Sequence, residues 1–248
     1  MDPSWPKYQL PKANRDLLFQ FYCNNLEKTV KYFKAEMEDL QVIAEIRAFE
    51  MMPLNPMTEK MKDLFKETLP TADIKEELQE GLSVIVAIDD YAIGFSTGFK
   101  GEVKEADETF TGFKADYAED CNALTKVPAE ARMIKVMIKE LRKVVKFHIP
   151  IGPYYSISRI SIQKEFLGHG FGKILWRESM RLAKKNGILY AQAECSAVNS
   201  TKLAESLGLR TVFVFPFDRA IVNGKPALPL RLRDGLTGLN LLVGKIDV

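Results

Sequence analysis

Three glycines at alternate positions, Gly168, Gly170 and Gly172, are the residues of this sequence best suited to binding an anion. They follow an apolar stretch, residues 155–162, that is typical of a strand, and a helical pattern begins at Lys173. Closely spaced glycines let the backbone turn sharply and bring its N–H groups near a ligand. The positive end of the following helix dipole adds to the attraction. We therefore expect a phosphate or pyrophosphate group at this turn.

The spacing of the glycines excludes two common nucleotide-binding loops. A P-loop has a glycine five positions before its Gly-Lys pair and a Ser or Thr after it. Here those positions hold Leu167 and Ile174. A dinucleotide-binding loop has two residues between its second and third glycines, and here His169 and Phe171 each stand alone between glycines. The turn therefore predicts a different phosphate-bearing ligand.

The turn resembles the acetyl-CoA loop of the GNAT (GCN5-related) N-acetyltransferases, whose pattern is Arg or Gln, two residues, Gly, one residue, then Gly or Ala. The segment 167–172 matches both small positions and has Leu167 where the family has Arg or Gln. A second segment, residues 199–209, resembles the family's next conserved block, because it starts with Asn199 and ends in an apolar–Gly–apolar step. The two blocks have the order and separation that the family shows.

This resemblance implies an α/β (α+β) chain with the GNAT fold, a mixed and mostly antiparallel central sheet flanked by helices, with acetyl-CoA at the splayed central strands. We expect a single domain over residues 1–248, with a cofactor-binding core at about 154–217. In such a fold the pantetheine lies along the strand before the loop, here 158–163, and the pyrophosphate on the amides of 168–173. The residues that the resemblance assigns to acetyl-CoA binding are Ile160, Ser161, Ile162, Leu167, Gly168, His169, Gly170, Phe171, Gly172, Lys173, Asn199 and Ser200.

The composition, the net charge and the cysteine and histidine counts argue against several other classes of function. The chain is 46% hydrophobic and 27% charged with a net charge of +2, which is ordinary for a globular protein and gives no basic face for nucleic acid. Its three cysteines form neither a paired framework nor a Cys-x-x-Cys signature, and it has two histidines, so we expect no metal site. The first residues lack a signal-peptide pattern and no apolar run approaches 18 residues. We expect a reduced cytoplasmic protein with no membrane association.

The remaining pattern predicts the elements that must position this site. Residues 16–23 favour a strand, and Asn24 and Asn25 then precede apolar residues at helical spacing, which predicts a helix from Leu26 to Ala44. A further helical region from Met57 to Glu80 is interrupted near Pro70, and residues 82–97 form a hairpin around Asp89-Asp90. Residues 100–129 predict an irregular or helical insertion over the substrate side. Helices are expected at 131–147, 173–185 and 199–207, and strands at 188–195, 209–217 and 236–243.

Acetyl transfer to an amine requires a base, since an alkylamine has a pKa of about 10 and is mostly protonated at neutral pH. The chain looks most like the invertebrate arylalkylamine N-acetyltransferases, which have an Asp-Glu-Pro-Leu-Asn-like segment whose Glu is the usual base. Here Pro53, Leu54 and Asn55 agree with that segment, but Met52 stands at the position of the Glu. The candidate bases are Glu50, which is equally well explained as an exposed helix-end carboxylate, and Glu194 at the end of its strand.

Hydroxyl groups four residues apart have been proposed to handle protons in the same subfamily, and Ser196 and Ser200 match both positions. Many other GNAT enzymes use a Tyr as the acid for the leaving thiolate, but that position is Ala204 here. The alternative reading of Ser200 is an ordinary first-turn helix residue. Cys195 is a strand cysteine and is more simply a small buried hydrophobe than an acyl carrier.

These observations predict an acetyl-CoA-dependent N-acetyltransferase that acts on a small primary amine by direct attack in a ternary complex. An arylalkylamine is the first expected acceptor, because the aromatics of residues 100–120, together with Phe213, Phe215 and Phe217, could line an apolar pocket; alternate strand aromatics are also typical of a core. Two alternatives remain open. One is a non-catalytic CoA-binding module, and the other is a GNAT enzyme for polyamines or amino acids.

Overall fold

The computed structural model describes residues 7–61, 63, 69 and 71–248 of the chain. The expected helix interruption near Pro70 lies outside these residues. The helices are α1 Leu40–Ile46, α2 Met52–Leu54, α3 Ala72–Gln79, α4 Ala118–Ala123, α5 Ala129–Val145, α6 Phe171–Lys185 and α7 Val198–Glu205. The strands are β1 Leu17–Cys23, β2 Lys28–Lys34, β3 Val84–Ile88, β4 Tyr91–Val103, β5 Gly152–Ile162, β6 Tyr190–Cys195, β7 Arg210–Pro216, β8 Ile221–Val222, β9 Lys225–Pro226 and β10 Gly238–Lys245.

A single eight-stranded sheet organises the fold, in the order β1-β2-β3-β4-β5-β6-β10-β7. All neighbouring strands are antiparallel except β5 and β6, which run parallel at the centre. Parallel neighbours need a crossover, and here α6 provides it. The mixed, mostly antiparallel sheet is the architecture that the sequence predicted.

Helices cover both faces of this sheet. On one face α6 packs on β3, β4 and β5, and α7 packs on β6, β7 and β10. On the other face α1 and α3 pack against β4, and α5 packs against β6, β7 and β10. The apolar stripe of α5 (Met133, Val136, Met137, Leu141 and Val144) is buried, as its spacing of three and four residues requires. The site described below lies where the two halves of the sheet meet.

The predicted helix from Leu26 to Ala44 is wrong in its first half, because β2 occupies Lys28–Lys34. Residues 24–27 make a turn between β1 and β2, with Glu27 at a φ of 51°, so Asn24 and Asn25 belong to a hairpin and do not cap a helix. Val30 and Tyr32 alternate as fully buried residues and pack with the aromatics of β1. The β-branched and aromatic residues of this stretch favour a strand, and that preference prevails over an apolar spacing that also suits a helix.

Residues 104–151, between β4 and β5, include α4 and α5 and are called the insertion below. The irregular or helical insertion expected at 100–129 is its first part, which begins later because β4 continues to Val103, and α5 is the helix predicted separately at 131–147. Asp116 fixes the insertion to the β8–β9 hairpin by accepting hydrogen bonds from the N–H groups of Asn223 and Gly224, at 3.1 and 2.7 Å. The insertion is therefore tied to this hairpin, a separate two-stranded sheet between β7 and β10 in the sequence.

Candidate active site

The two central strands separate after a short pairing. β5 and β6 are paired only from Tyr155 to Ile157, opposite Ala191 to Ala193. Beyond that point β5 pairs with β4 alone, and β6 pairs with β10 alone. The register with β4 skips Ser158, which makes a β-bulge at the place where the strands part. The edge of β5 from residue 158 onward therefore presents backbone N–H and C=O groups to the gap, as an unpaired strand edge does.

A cavity of about 660 Å³ fills this gap and is lined by both strands, the glycine turn and the starts of α6 and α7. Its lining residues are Met51, Leu54, Asn55, Ile157, Ser158, Arg159, Ile160, Ser161, Ile162, Phe166, Leu167, Gly168, Gly170, Phe171, Gly172, Lys173, Trp176, Ala193, Glu194, Cys195, Ser196, Ala197, Asn199, Ser200, Lys202 and Leu203. Every residue predicted for acetyl-CoA binding lines this cavity except His169, whose ring stacks on Phe171.

The glycine turn has the geometry of a phosphate cradle. Gly168 and Gly170 have φ angles of 85° and 79°, and a Cβ built on either would meet nothing within 4 Å. Gly170 caps α6, and the first two N–H groups of the helix, those of Phe171 and Gly172, have no acceptor in a preceding turn, whereas the N–H of Lys173 donates to the carbonyl oxygen of Gly170 at 3.1 Å. Lys173 and Lys202 add positive charge to the same cavity. An extended amide chain along β5 and a phosphate at this turn fit the space and the donors present.

Gly172 has a different role from its two neighbours. Its backbone is helical, and an added Cβ would touch Ile160 and Leu203 at 3.5 and 3.6 Å. These are ordinary van der Waals distances, so neither backbone conformation nor space requires a glycine at this position. Two lining residues were not predicted from the sequence, Trp176, one turn after Lys173, and Leu203, one turn after Asn199, although helical spacing from the predicted residues indicates both.

Glu194 lies at the end of β6 with its side chain 7% exposed, and it lines the cavity. Its Oε1 atom accepts a hydrogen bond from Nε of Arg142 at 2.9 Å and another from Nε2 of Gln192 at 3.1 Å. Nε2 of Gln192 also donates to Oγ of Ser156 at 2.6 Å. Burial acts to lower the pKa of Arg142, but the Glu194 carboxylate prevails and holds it above its usual value. The carboxylate is therefore held in position at the edge of the cavity by two donors.

Ser196 and Ser200 both line the cavity, but their hydroxyl groups are held differently. Oγ of Ser196 accepts a hydrogen bond from Nδ2 of Asn55 at 2.8 Å. Oγ of Ser200 donates to the carbonyl oxygen of Ala197 at 2.8 Å, within its own helical turn. The proton of Ser196 therefore stays available to a ligand, whereas that of Ser200 is directed to the backbone.

Glu50 does not line the cavity. It lies in a π-helical turn, Arg47–Met51, and is 8% exposed. Its Oε1 atom accepts a hydrogen bond from the Tyr8 hydroxyl at 3.1 Å, and Nζ of Lys7 lies 3.6 Å away. Burial, and then the Glu50 carboxylate, raise the pKa of the Tyr8 phenol. A π turn adds a residue and rotates the positions that follow, and here it places Met51 at the cavity while Glu50 contacts the amino-terminal segment.

Cys195 lines the cavity as a buried thiol. Burial raises its pKa to about 12, although nearby hydroxyl groups act in the opposite direction. The thiolate is the nucleophilic form of cysteine. The geometry therefore favours the expected role of a small buried hydrophobe.

Arg159, beside the bulge in β5, is the centre of a largely buried ionic cluster, with only the Asp73 side chain more than a third exposed, that no sequence pattern indicated. Its guanidinium donates to both carboxylate oxygens of Glu77 and to Asp73, on α3. Nη1 of Arg47 donates to the same Asp73 at 2.9 and 3.1 Å. Burial acts to raise the pKa of Asp73, but Arg159 and Arg47 prevail and lower it. The cluster fixes α3 and the π-helical turn to the strand that borders the cavity.

The aromatic residues expected to line an acceptor pocket pack against one another in the core. Phe110 and Phe113 contact Phe213 with ring centroids 4.9 and 5.8 Å apart, and Phe113 also contacts Phe215. Phe217 is fully buried. These side chains lie in the cluster between α5 and the sheet and do not line the cavity.

Among residues 7–61, 63, 69 and 71–248, no group of three or more His, Cys, Asp or Glu side chains is placed to hold a metal ion. Within the same residues, no helix has the length and apolar character needed to cross a membrane.

Solved structures with a similar fold include N-acetyltransferases of insects. Arylalkylamine N-acetyltransferase 2 of Aedes aegypti superposes with a TM-score of 0.68 at 14% identity, covering 88% of this chain and 99% of its own. Putative arylalkylamine N-acetyltransferase 7 of the same mosquito gives 0.64 at 12% identity, covering 98% and 100%. The polyamine N-acetyltransferase of Drosophila melanogaster gives 0.64 at 9% identity, covering 87% and 99%.

The chain therefore has the GNAT fold, and the expected fold class is confirmed. No protein-family model matches the sequence, and no curated protein is similar enough in sequence to match it.

Proposed function

We propose that this protein is an acetyl-CoA-dependent N-acetyltransferase that acts on a small primary amine by direct attack in a ternary complex. The observation that carries the proposal is the unpaired edge of β5, which leads into the open glycine turn at α6 while Glu194 borders the same cavity. The insect N-acetyltransferases with this fold support the reaction class. We also propose a single domain, because one sheet includes strands from both ends of the described chain.

Two groups of cavity residues bind different parts of acetyl-CoA, the pantetheine and the pyrophosphate. The backbone of β5 after Ile157 offers donors and acceptors to the pantetheine amides. Gly168, Gly170 and the first N–H groups of α6 hold the pyrophosphate, and Lys173 adds a charge contact. Acetyl-CoA supplies the acetyl group as a thioester, whose C–S bond breaks as the C–N bond of the product forms.

Glu194 is the general base of this proposal. The proton of the attacking amine passes to its carboxylate, directly or through one water molecule. Ser196 is the donor to the leaving thiolate. Its Oγ accepts a hydrogen bond from Asn55, while its own O–H is not donated to the backbone. Ser200 shapes the start of α7. Glu50, held by Tyr8 and Lys7, has no part in the proton transfer.

The first acceptor to test is an arylalkylamine. Met51, Leu54 and Ile157 give the acceptor end of the cavity apolar surface, and one carboxylate lies beside them. That combination suits an apolar amine whose cation is drawn to Glu194. A polyamine is the second acceptor, because one of the structures with this fold is a polyamine N-acetyltransferase. The buried free thiols Cys23, Cys121 and Cys195 support a reducing, cytoplasmic location.

One observation favours a second function, a CoA-binding module without catalysis. Met52, at the position of the usual base, is 2% exposed and cannot accept a proton. The same chain would then bind acetyl-CoA through the glycine turn without turnover.

The test is release of free thiol from acetyl-CoA with tryptamine-like, catecholamine, polyamine and amino-acid acceptors. We expect release with one acceptor class and at least a hundredfold lower kcat in Glu194→Gln. Glu102→Gln, a change in an exposed carboxylate of β4 paired with Lys104, is the matched control and should retain the normal rate. Binding of acetyl-CoA without release for any acceptor would establish the non-catalytic module instead.

A further inference from the structure

The base candidate Glu194 receives its counter-charge from the insertion between β4 and β5. Arg142 lies on α5. Its Cζ atom lies over the ring of Phe99, 5.2 Å from the centroid, and its Nε donates to the Glu194 carboxylate. The contact joins residues 52 positions apart in the sequence. The inserted helix therefore contributes directly to the electrostatics of the cavity, in addition to covering the sheet.

The two carboxylate oxygens of Glu194 have different surroundings. Oε1 accepts both hydrogen bonds, from Arg142 at 2.9 Å and from Gln192 at 3.1 Å. Oε2 accepts none from the residues that the structure describes. Two donors on one oxygen fix the rotation of the carboxylate, and Ser156 in turn fixes Gln192. The remaining oxygen is the one left to accept a proton.

The surrounding charges make Arg142 the dominant partner. The side chain of Glu194 is 7% exposed, so its charge needs compensation inside the protein. Other titratable groups that act on this pair are Tyr154 on β5, Cys195 on β6, Lys135 on α5 and Glu77 on α3. Burial, and then Glu194, raise the pKa of the Tyr154 phenol, so it stays neutral. Arg142 alone among them is hydrogen-bonded to the carboxylate.

We propose that Arg142 is a positioning residue, which supplies the counter-charge of Glu194 and holds its carboxylate turned so that Oε2 faces the acceptor amine. The proposal rests on the proposed function with Glu194 as the base. It assigns a catalytic contribution to α5, a helix that makes no part of the acetyl-CoA cradle. Gln192, on β6, assists by donating a hydrogen bond to the same oxygen, Oε1 of Glu194.

The experiment is the pH profile of kcat/KM for one amine, measured for the unchanged protein, Arg142→Met and Arg142→Lys. In Arg142→Met the carboxylate loses its counter-charge, so we expect the acid limb to move to higher pH by about one to two units. The kcat should fall about tenfold, while KM for acetyl-CoA changes less than twofold. Arg142→Lys keeps the positive charge but loses the rigid planar geometry of the guanidinium donors. Its acid limb should therefore stay in place while kcat falls about threefold to tenfold.

Lys139→Met, an exposed change on the same helix, is the control and should alter neither quantity. A profile of Arg142→Met that superimposes on that of the unchanged protein would overturn the proposal, even if its rate is uniformly lower. If Arg142→Met does not fold, a normal kcat in Arg142→Lys overturns it equally. Absence of transfer in the unchanged protein refutes the proposed function. A normal rate in Glu194→Gln refutes the base assignment, so the separate failures are distinguishable.

Discussion

Asn55 and Ser196, 141 residues apart in the sequence, are joined across the cavity by a hydrogen bond of 2.8 Å from Nδ2 to Oγ. Asn55 is held in turn, because its Oδ1 accepts the N–H of Met57 at 2.9 Å. A second tie runs through the chain before β10, where Arg233 donates to the carbonyl oxygen of Leu54 at 2.8 Å and Asp234 accepts the N–H of Val198 at 2.8 Å. The loop after α2 and the start of α7 thus form one connected wall of the site.

Replacing Asn55 should impair turnover more than binding. In Asn55→Ala, Ser196 loses a donor worth about 1 kcal/mol, so we expect kcat to fall roughly fivefold. The affinity for acetyl-CoA should change less than twofold, because the proposed phosphate contacts come from the backbone of the glycine turn and the start of α6 and do not involve the Asn55 side chain. Steady-state kinetics together with equilibrium binding of acetyl-CoA separate the two effects.

Arg233→Met is the matched control for this prediction. It removes the neighbouring tie to the loop and leaves the Asn55–Ser196 hydrogen bond in place. We expect a higher KM for the amine with kcat nearly unchanged. Equal losses of kcat in Asn55→Ala and Arg233→Met would mean that the bond serves only to hold the loop.

Cys195 should be dispensable. Burial raises the pKa of its thiol to about 12, so the thiolate fraction near neutral pH is negligible. We expect Cys195→Ala to retain kcat within about threefold, and rapid-quench experiments should detect no acyl-enzyme, in keeping with direct attack. A burst of thiol release that is equal to the enzyme concentration and absent from Cys195→Ala would contradict both statements.

The side of the cavity formed by β5, the glycine turn and the start of α6 was predictable because its residues are nearly contiguous. The run from Ile160 to Lys173 contains the strand edge, the turn and the helix start, and each is indicated by local sequence chemistry. The same holds for the β3–β4 hairpin, whose turn residue Asp89 adopts a φ of 54°. Where conformation is set by neighbours in the chain, the sequence was sufficient.

The part of the cavity around Glu194 was not predictable, because its contacts join segments that are distant in the sequence. No local pattern shows that Arg142 reaches Glu194, or that Arg159 takes both Asp73 and Glu77 as partners. The rotation of Glu50 away from the cavity depends on a π-helical turn, which has no distinct sequence signal. These relationships follow from packing of the insertion and α3 on the sheet, and that packing is a property of the whole fold.

The ionic cluster at Arg159 should make stability depend on pH. The folded protein holds the pKa of Asp73 below its usual value, so this carboxylate contributes stability above its unfolded pKa of about 3.9. The contribution is lost as the pH falls through the lower, folded value. With solvent screening of a partly exposed side chain, Asp73→Asn should cost about 1–2 kcal/mol and lower the Tm by roughly 5 °C at pH 7.

The control for Asp73 is Asp89→Asn. It breaks an exposed pair with Lys28 and replaces a left-handed turn residue by one that tolerates the same conformation, so the Tm should change little. Thermal unfolding of the three proteins between pH 7 and pH 3 tests both expectations. The gap between Asp73→Asn and the unchanged protein must narrow toward pH 3, and a constant gap would show that the arginines do not act through this carboxylate's charge.

Gly170 and Gly187 offer a matched pair that isolates phosphate binding from backbone strain. Both adopt left-handed conformations, with φ of 79° and 78°, and a Cβ on either meets nothing within 4 Å. Gly170 begins α6 at the cavity, whereas Gly187 follows the end of the same helix. A change to Val imposes the same conformational penalty of about 1–2 kcal/mol at each position. Their effects on stability should therefore be similar.

Their effects on acetyl-CoA binding should differ. In Gly170→Val the side chain occupies the space above the turn where the phosphates would lie, so we expect the Kd to rise at least tenfold. Gly187→Val should leave the Kd within about twofold. Isothermal titration of both variants with acetyl-CoA, together with the Tm of each, distinguishes loss of phosphate binding from loss of folding stability. Unchanged affinity in Gly170→Val would show that the turn does not bind the cofactor, and equal weakening in both variants would attribute the effect to loss of helix stability.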